Sequence, residues 1–322
     1  MSPRIDVHLD PVTWRAAQIE EACHTLSERP PWLAPWWFYD EVGSDLFDQI
    51  TRLPEYYPTR AERALLERHA PELADLGIDT VVELGSGTSD KTTVILDALH
   101  AAGGLARYVP FDVSEETLRT AAARLAARYR GLEVHGVVGD FHEHLAEVPR
   151  GGRRLVAFLG STIGNLDPGQ RATFLADLAA TMGAGDRLLL GVDLVKDPSV
   201  LVAAYDDAAG VTAAFNRNAL AVLNREVGTN FAVDAFAHRA VWVPDRSWIE
   251  MRLVATSAQT VTAAGLVEPL QLAAGDELRT EISAKFTIDG MTKELWEAGL
   301  GLDATWTGDD EQFALLVASP AP

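Results

Sequence analysis

The chain has 322 residues, 48 % of them hydrophobic, enough for one large domain or two ordinary ones with a substantial core. Its 27 Lys and Arg against 47 Asp and Glu leave a formal charge of −20, which works against phosphate backbones and anionic membranes because both call for clustered basic side chains. The ample Val, Leu, Ile and Phe argue against a disordered chain.

In chain order, the first sixty or so residues are crowded with aromatics: Trp32, Trp36, Trp37, Phe38, Tyr39, Phe47, Tyr56 and Tyr57. From residue 61 to 195 short apolar runs at 80–84, 108–111, 134–138, 155–159 and 188–192 alternate with helix-length stretches such as 115–129 and 168–182. Strands separated by helices predict a mostly parallel, doubly wound α/β sheet. Beyond 195 the texture changes. Helices are expected at 198–210 and 211–227, then strands at 241–243, 248–256 and 278–286, with β-branched residues favouring strand from Arg252 onward. A helix at 291–298 and an apolar run at 313–317 return to complete the first sheet. The layout is therefore discontinuous, with 61–195 and 286–322 forming one domain and 1–60 and 196–285 an α+β second domain.

The single cysteine, Cys23, permits no intrachain disulfide and no Cys-x-x-Cys metal pair, which fits a reducing compartment. The amino terminus lacks a signal-peptide pattern and no apolar run reaches membrane length. The expectation is a cytoplasmic monomer acting on a small molecule, with no nucleic-acid partner, no membrane and no metal.

The most informative local sequence is Val81-Val82-Glu83-Leu84-Gly85-Ser86-Gly87-Thr88-Ser89-Asp90-Lys91. An apolar strand enters a Gly-x-Gly turn, where missing Cβ atoms let the backbone turn tightly and approach a ligand. Asp112 closes the next strand, placed to accept from ribose hydroxyls. Asp140 follows the third strand, with Phe141 beside it to pack on a base. A nicotinamide fingerprint asks for a third glycine where Asp90 stands, and Asp90 is a poor neighbour for a pyrophosphate. An uncharged adenosine with a cationic centre, as in S-adenosylmethionine, suits these residues better, and the dinucleotide reading remains the weaker competitor. Gly160-Ser161-Thr162-Ile163-Gly164 invites comparison with a nucleophile elbow, but Thr162 holds the central place, so it reads as a ligand-facing loop from which Asn165 projects.

Five segments then act together: Trp37-Phe38-Tyr39-Asp40-Glu41-Val42-Gly43-Ser44-Asp45-Leu46-Phe47, Leu53-Pro54-Glu55-Tyr56-Tyr57-Pro58-Thr59-Arg60, the Glu83–Ser89 loop, Phe158-Leu159-Gly160-Ser161-Thr162-Ile163-Gly164-Asn165, and Ala214-Phe215-Asn216-Arg217-Asn218. Together they resemble the histidine-specific N-alpha methyltransferases, which convert histidine to its trimethylated betaine, hercynine, in ergothioneine biosynthesis. The resemblance implies a Rossmann-like class I methyltransferase domain with a separate substrate domain. It implies S-adenosylmethionine contacts from Gly85, Lys91, Asp112, Asp140 and Phe141. It implies histidine contacts from Tyr56, Asn165, Tyr205, Glu281 and Ser283, with Tyr39 beside the amine as the catalytic residue. Glu281 and Ser283, two apart in a predicted strand, share one face and can address both nitrogens of an imidazole, while the Tyr205 phenol is able to serve a carboxylate. Three rivals stand behind this reading: a related enzyme methylating another amino acid such as a tryptophan derivative, a nicotinamide-dependent oxidoreductase, and a non-catalytic nucleoside-binding module.

Overall fold

The computed structural model describes residues 2–310 and 312–321. Strand β1 (Arg4–Val7) and helix α1 (Pro11–Ser27) precede a 3-10 turn at Pro35–Phe38, then α2 (Glu41–Ile50) and α3 (Pro58–Asp75). Strands and helices next alternate: β2 (Thr80–Leu84), α4 (Thr93–Ala101), β3 (Arg107–Asp112), α5 (Glu115–Arg128), β4 (Glu133–Val138), β5 (Arg154–Phe158), α6 (Pro168–Thr181) and β6 (Arg187–Asp193). Helices α7 (Pro198–Tyr205) and α8 (Val211–Glu226) lead into β7 (Phe236–Val243), β8 (Trp248–Ala255), β9 (Gln259–Val261), β10 (Leu270–Leu272) and β11 (Glu277–Ala284). The chain ends with α9 (Ile288–Glu297), β12 (Leu300–Thr307) and β13 (Phe313–Pro320).

Two compact units result, Met1–Asp10 with Arg60–Leu194 and Phe286–Pro322, and Pro11–Thr59 with Val195–Lys285. In the first, eight strands lie in the order β1-β4-β3-β2-β5-β6-β13-β12. Strands β1 to β6 run parallel, and β13 pairs antiparallel with both β6 and β12. Every residue of β2 and β5 is buried, as strands covered on both faces must be, which is why apolar residues fill consecutive positions in both, with Glu83 and Arg154 as buried charged members. Helix α6 starts at a capping box in which Asp167 accepts from the Gln170 N–H and Gln170 answers to the Asp167 N–H, with Pro168 in the first turn.

The second unit carries the antiparallel sheet β11-β8-β7 and the ribbon β9-β10. Its own core is built from Phe38, Leu220, Leu223, Ile249, Met251, Leu253 and Leu278 among others. Helix α2 is capped by Asp40, whose carboxylate accepts the Gly43 N–H at 2.8 Å. A Cβ on Gly43 would fall 1.7 Å from the Phe38 carbonyl oxygen, so only glycine lets α2 start that close to the preceding turn. Among the described residues no helix is long and apolar enough to cross a membrane.

Several expectations need correction. Residues 1–10, expected with the second domain, belong to the first unit: β1 adds to the sheet edge beside β4, and the Asp6 carboxylate meets His135 Nε2 at 2.7 Å. The helix expected over 198–210 stops at Tyr205, because Asp206 leaves helical geometry and the Asp207 carboxylate caps α8 by accepting from Val211 and Thr212. Strand β7 starts at Phe236 rather than 241, since buried Phe236 and Ala240 are separated by Ala237, His238 and Arg239 and form no apolar run. Strand β12, rich in half-exposed residues at the sheet edge, carried no strand signal at all.

Candidate active site

In the first unit, parallel strands in register bring their carboxyl ends to one edge: Leu84 lies beside Phe111 and Phe158, and Asp112 beside Val138. Strand β2 is where the order reverses, with β3 on one side and β5 on the other, and open α/β sheets hold ligands outside such a switch point. Gly85 and Gly87 turn the chain there with φ of +66° and +47°, and a Cβ on either would meet no protein atom within 4 Å. Between them the buried Ser86 hydroxyl has no hydrogen-bond partner among the described residues. A buried polar atom is ordinarily satisfied, so an unpaired one beside open backbone fits a ligand.

The Gly87 N–H donates to Asp112 Oδ2 at 2.8 Å and the Ser114 N–H to Oδ1 at 2.9 Å. Burial raises the Asp112 pKa above its ordinary value despite the pull of those bonds. Each oxygen keeps lone-pair capacity for a further donor. Asp140 Oδ1 accepts the His142 N–H at 2.9 Å, and the Phe141 ring stands edge-on to Phe158 and Phe174 at 5.7 and 5.3 Å. Asn165 ends a 3-10 turn (Thr162–Asn165) after β5. That turn is pinned by Ser161, whose Oγ accepts the Asp193 N–H at 2.9 Å while its own φ is +55°.

Two carboxylates stand behind this edge: Glu83, which belongs to the glycine-loop segment legible in the sequence, and Glu62, which escaped sequence reasoning. Glu83 is buried in β2 and accepts from Thr92 and Tyr108, whose Oη also lies 2.8 Å from Ser89 Oγ. Burial pushes the Glu83 carboxyl up to about 7 against the Thr92 and Tyr108 hydrogen bonds and the charge of Lys91. The network holds Ser89 at φ +57°, a conformation a serine adopts only when its surroundings demand it. Glu62 on α3 is fully buried and pairs with Lys91. Its only hint in the sequence is its closeness to the Tyr56–Arg60 segment.

In the second unit the rings form a contiguous series. Tyr39 stands edge-on to Phe215 at 5.8 Å and to Phe47 at 5.7 Å; Phe47 meets Tyr56 at 6.3 Å, and Tyr56 meets Tyr205 at 6.2 Å. Half of Tyr39 is open, yet its phenol stands among enough protein that burial, then the Glu281 and Tyr205 charges, raises its pKa well above the ordinary value. Glu281 and Ser283 share a face of β11, opposite Met251 and Ile249 of β8. Burial pushes the Glu281 carboxyl up to about 7, with the Lys285 charge opposing. The Tyr205 hydroxyl, expected to serve a carboxylate, is engaged inside the protein with Ser283 Oγ at 2.8 Å and Lys285 Nζ at 2.9 Å.

The Asn216-Arg217-Asn218 segment supports these side chains. Asn216 Nδ2 donates to His238 Nδ1 at 2.8 Å, so Nε2 carries the proton and donates to the Tyr205 carbonyl at 2.8 Å. Burial lowers the His238 pKa and keeps that ring neutral. Asn218 Nδ2 donates to Asp40 Oδ1 at 2.7 Å, bracing the cap of α2. Of the residues expected from sequence, Gly85, Lys91, Asp112, Asp140, Phe141 and Asn165 lie in the first unit, and Tyr39, Tyr56, Tyr205, Glu281 and Ser283 in the second.

Residues 18–320 match the family described as histidine-specific methyltransferase, SAM-dependent. The histidine N-alpha-methyltransferase of Mycolicibacterium smegmatis is 56 % identical over 91 % of this chain and 92 % of its own length. Ergothioneine biosynthesis protein 1 of Neurospora crassa is 31 % identical over 87 % of this chain and 32 % of its own length. Among solved structures, an S-adenosylmethionine-dependent methyltransferase from Clostridium acetobutylicum shares the fold, with a TM-score of 0.50 and 10 % identity over 87 % of this chain and 99 % of that one.

Proposed function

Because the chain belongs to the family of histidine-specific, S-adenosylmethionine-dependent methyltransferases, we propose that it trimethylates the α-amino group of L-histidine to hercynine, the first step of ergothioneine biosynthesis. The observation that carries this reading is Glu281 beside Ser283 on one face of β11, an acceptor next to a hydroxyl, in the unit that also carries the series of aromatic rings.

The residues of the first unit fit an adenosyl donor: the open backbone at Gly85 and Gly87 and the unpaired Ser86 hydroxyl leave room and a polar partner for it. S-adenosylmethionine, when bound, supplies an electrophilic methyl on a sulfonium. Asp112 accepts from the ribose hydroxyls, Asp140 from the adenine amino group, and Phe141 packs on the base. Gly85 allows the close backbone approach, and the Lys91 ammonium meets the carboxylate of the donor's amino-acid end.

Glu281 accepts from one imidazole nitrogen and Ser283 addresses the other, with Tyr205 behind it, while Tyr56 contacts the amino-acid end of histidine. The attacking amine has to be neutral. Tyr39, with its pKa raised, stays a neutral phenol near pH 7, so its oxygen orients the amine and the displaced protons leave to water. The final product is a quaternary ammonium with no N–H, which hydrogen bonds cannot hold; the faces of Tyr39, Phe47 and Tyr56 stabilise such cations by roughly 0.5–2 kcal/mol each. Alignment of the reacting groups contributes up to roughly 7–11 kcal/mol in favourable cases.

Incubation with S-adenosylmethionine and a mixture of the common amino acids, read by mass spectrometry, tests the proposal. Histidine alone should gain three methyl groups. Methylation of a different amino acid, or of none, would overturn it.

A further inference from the structure

The second unit holds a buried cation that the reading above does not use. Lys285, directly after β11, is 3 % exposed, and its Nζ donates to Tyr205 Oη at 2.9 Å and to Ser283 Oγ at 2.8 Å. The two hydroxyls are themselves 2.8 Å apart, so three polar atoms close a triangle on buried side chains. An ammonium only donates, and each hydroxyl has a single proton. Nζ therefore fills one lone pair on each oxygen, and one proton lies between the oxygens. The geometry allows either hydroxyl to donate, and acidity favours the phenol, the stronger acid of the two, as the donor to Ser283. Ser283 Oγ then accepts twice, from Lys285 and from Tyr205, and has only its own proton left to offer. On the same face of β11, Glu281 presents the opposite polarity, a carboxylate that accepts.

We infer that Lys285 is a positioning residue for specificity: by saturating the Ser283 oxygen it makes that hydroxyl an obligate donor beside the acceptor Glu281, so the pair reads a ring with one N–H and one bare nitrogen. A neutral imidazole has both. An indole has only an N–H, and would leave the Ser283 proton buried and unpaired. Without the Lys285 ammonium the Ser283 oxygen, still held by Tyr205, regains a free lone pair and can accept as well as donate. The inference rests on the histidine reading, and wild-type binding of histidine checks that reading separately.

Calorimetry on the wild type, Lys285→Met, Ser283→Ala and the double variant, titrated with histidine and separately with S-adenosylhomocysteine, tests it. If the wild type does not bind histidine, the proposed function fails. If it does, Lys285→Met should weaken histidine by roughly 3- to 10-fold, up to the worth of the neutral Ser283 hydrogen bond that it positions, with S-adenosylhomocysteine affinity unchanged. Adding Lys285→Met to Ser283→Ala should cost little more, because both remove one interaction. In turnover, KM for histidine should rise much more than kcat falls, and the preference for histidine over tryptophan should shrink. Lys285→Gln, which keeps a donor of similar length without the charge and restores an acceptor, should show the same direction if the methionine variant does not fold. Unchanged histidine affinity in the Lys285 variants, or losses that simply add in the double variant, would overturn the inference.

Discussion

Glu62 Oε2 sits 2.6 Å from Lys91 Nζ, and its Oε1 accepts the Gly160 N–H at 2.6 Å. One fully buried carboxylate on α3 thus ties the loop after β2 to the loop after β5, the two strands that flank the switch point. The glycine turn and the Asn165 turn are held to the same anchor, so a disturbance at Glu62 reaches both.

Removing the two partners should not be equivalent. Lys91→Met leaves the Glu62 charge buried without its cation and should cost about 3 kcal/mol. Glu62→Gln still accepts from Gly160 and leaves a lysine that reaches water, and should cost about 1 kcal/mol. Urea denaturation measures the order, and a glutamine variant less stable than the methionine one would contradict it. Both should weaken S-adenosylmethionine in a binding titration.

Gly87→Ala separates fold from ligand. Its φ of +47° costs a residue with a Cβ about 1–2 kcal/mol, but the added methyl meets no protein atom within 4 Å. The melting temperature should therefore fall by only a few degrees, whereas affinity for S-adenosylmethionine should fall by an order of magnitude or more. Donor binding at wild-type strength would show that the glycine loop does not cradle it.

Glu281 should govern the pH dependence of histidine binding. Its carboxyl, pushed up to about 7, accepts from an imidazole N–H far more strongly when ionised. Histidine affinity should therefore decline as pH falls through 7, and Glu281→Gln should flatten that limb while lowering affinity above it. The stability sign is opposite. With a folded pKa above the ordinary 4.5, the carboxyl favours the folded state below 4.5, and that contribution is lost as pH rises through 7. Glu281→Gln should then be more stable than wild type at pH 8 and gain nothing at pH 4, as denaturation at the two pH values will report.

His238 should make the second unit acid-sensitive. Burial lowers its pKa below 6.5, so an unfolded chain takes up a proton the folded one refuses, and stability declines as pH drops below about 6.5. His238→Gln should reduce the difference in unfolding free energy between pH 8 and pH 5.5 relative to wild type. An equal difference in both proteins would remove His238 from the account.

Legibility from sequence followed the range of the interaction concerned. Strand β2 could be placed to the residue, because Val81, Val82 and Leu84 are a local apolar signal directly before the glycine turn. Strands β1 and β12 could not: both lie at sheet edges, where half-exposed residues carry no period, and pairing with β4 and β13 is what makes them strands. The Asn216–Asn218 segment stood out as a motif, but its work on His238 and Asp40 is visible only across the folded second unit.

The amino-acid order by itself determined the alternation of strand and helix, the glycine turn with its acidic strand ends, and the family to which the ordered motifs point, since each is a local pattern of apolarity, turn chemistry or residue identity. Tertiary structure alone decided that Glu62 meets Lys91 and that Lys285 meets Tyr205, pairs 29 and 80 residues apart. No local pattern says which of many polar side chains will be buried opposite one another; that choice belongs to the packing that strips them of water and leaves each the other's partner.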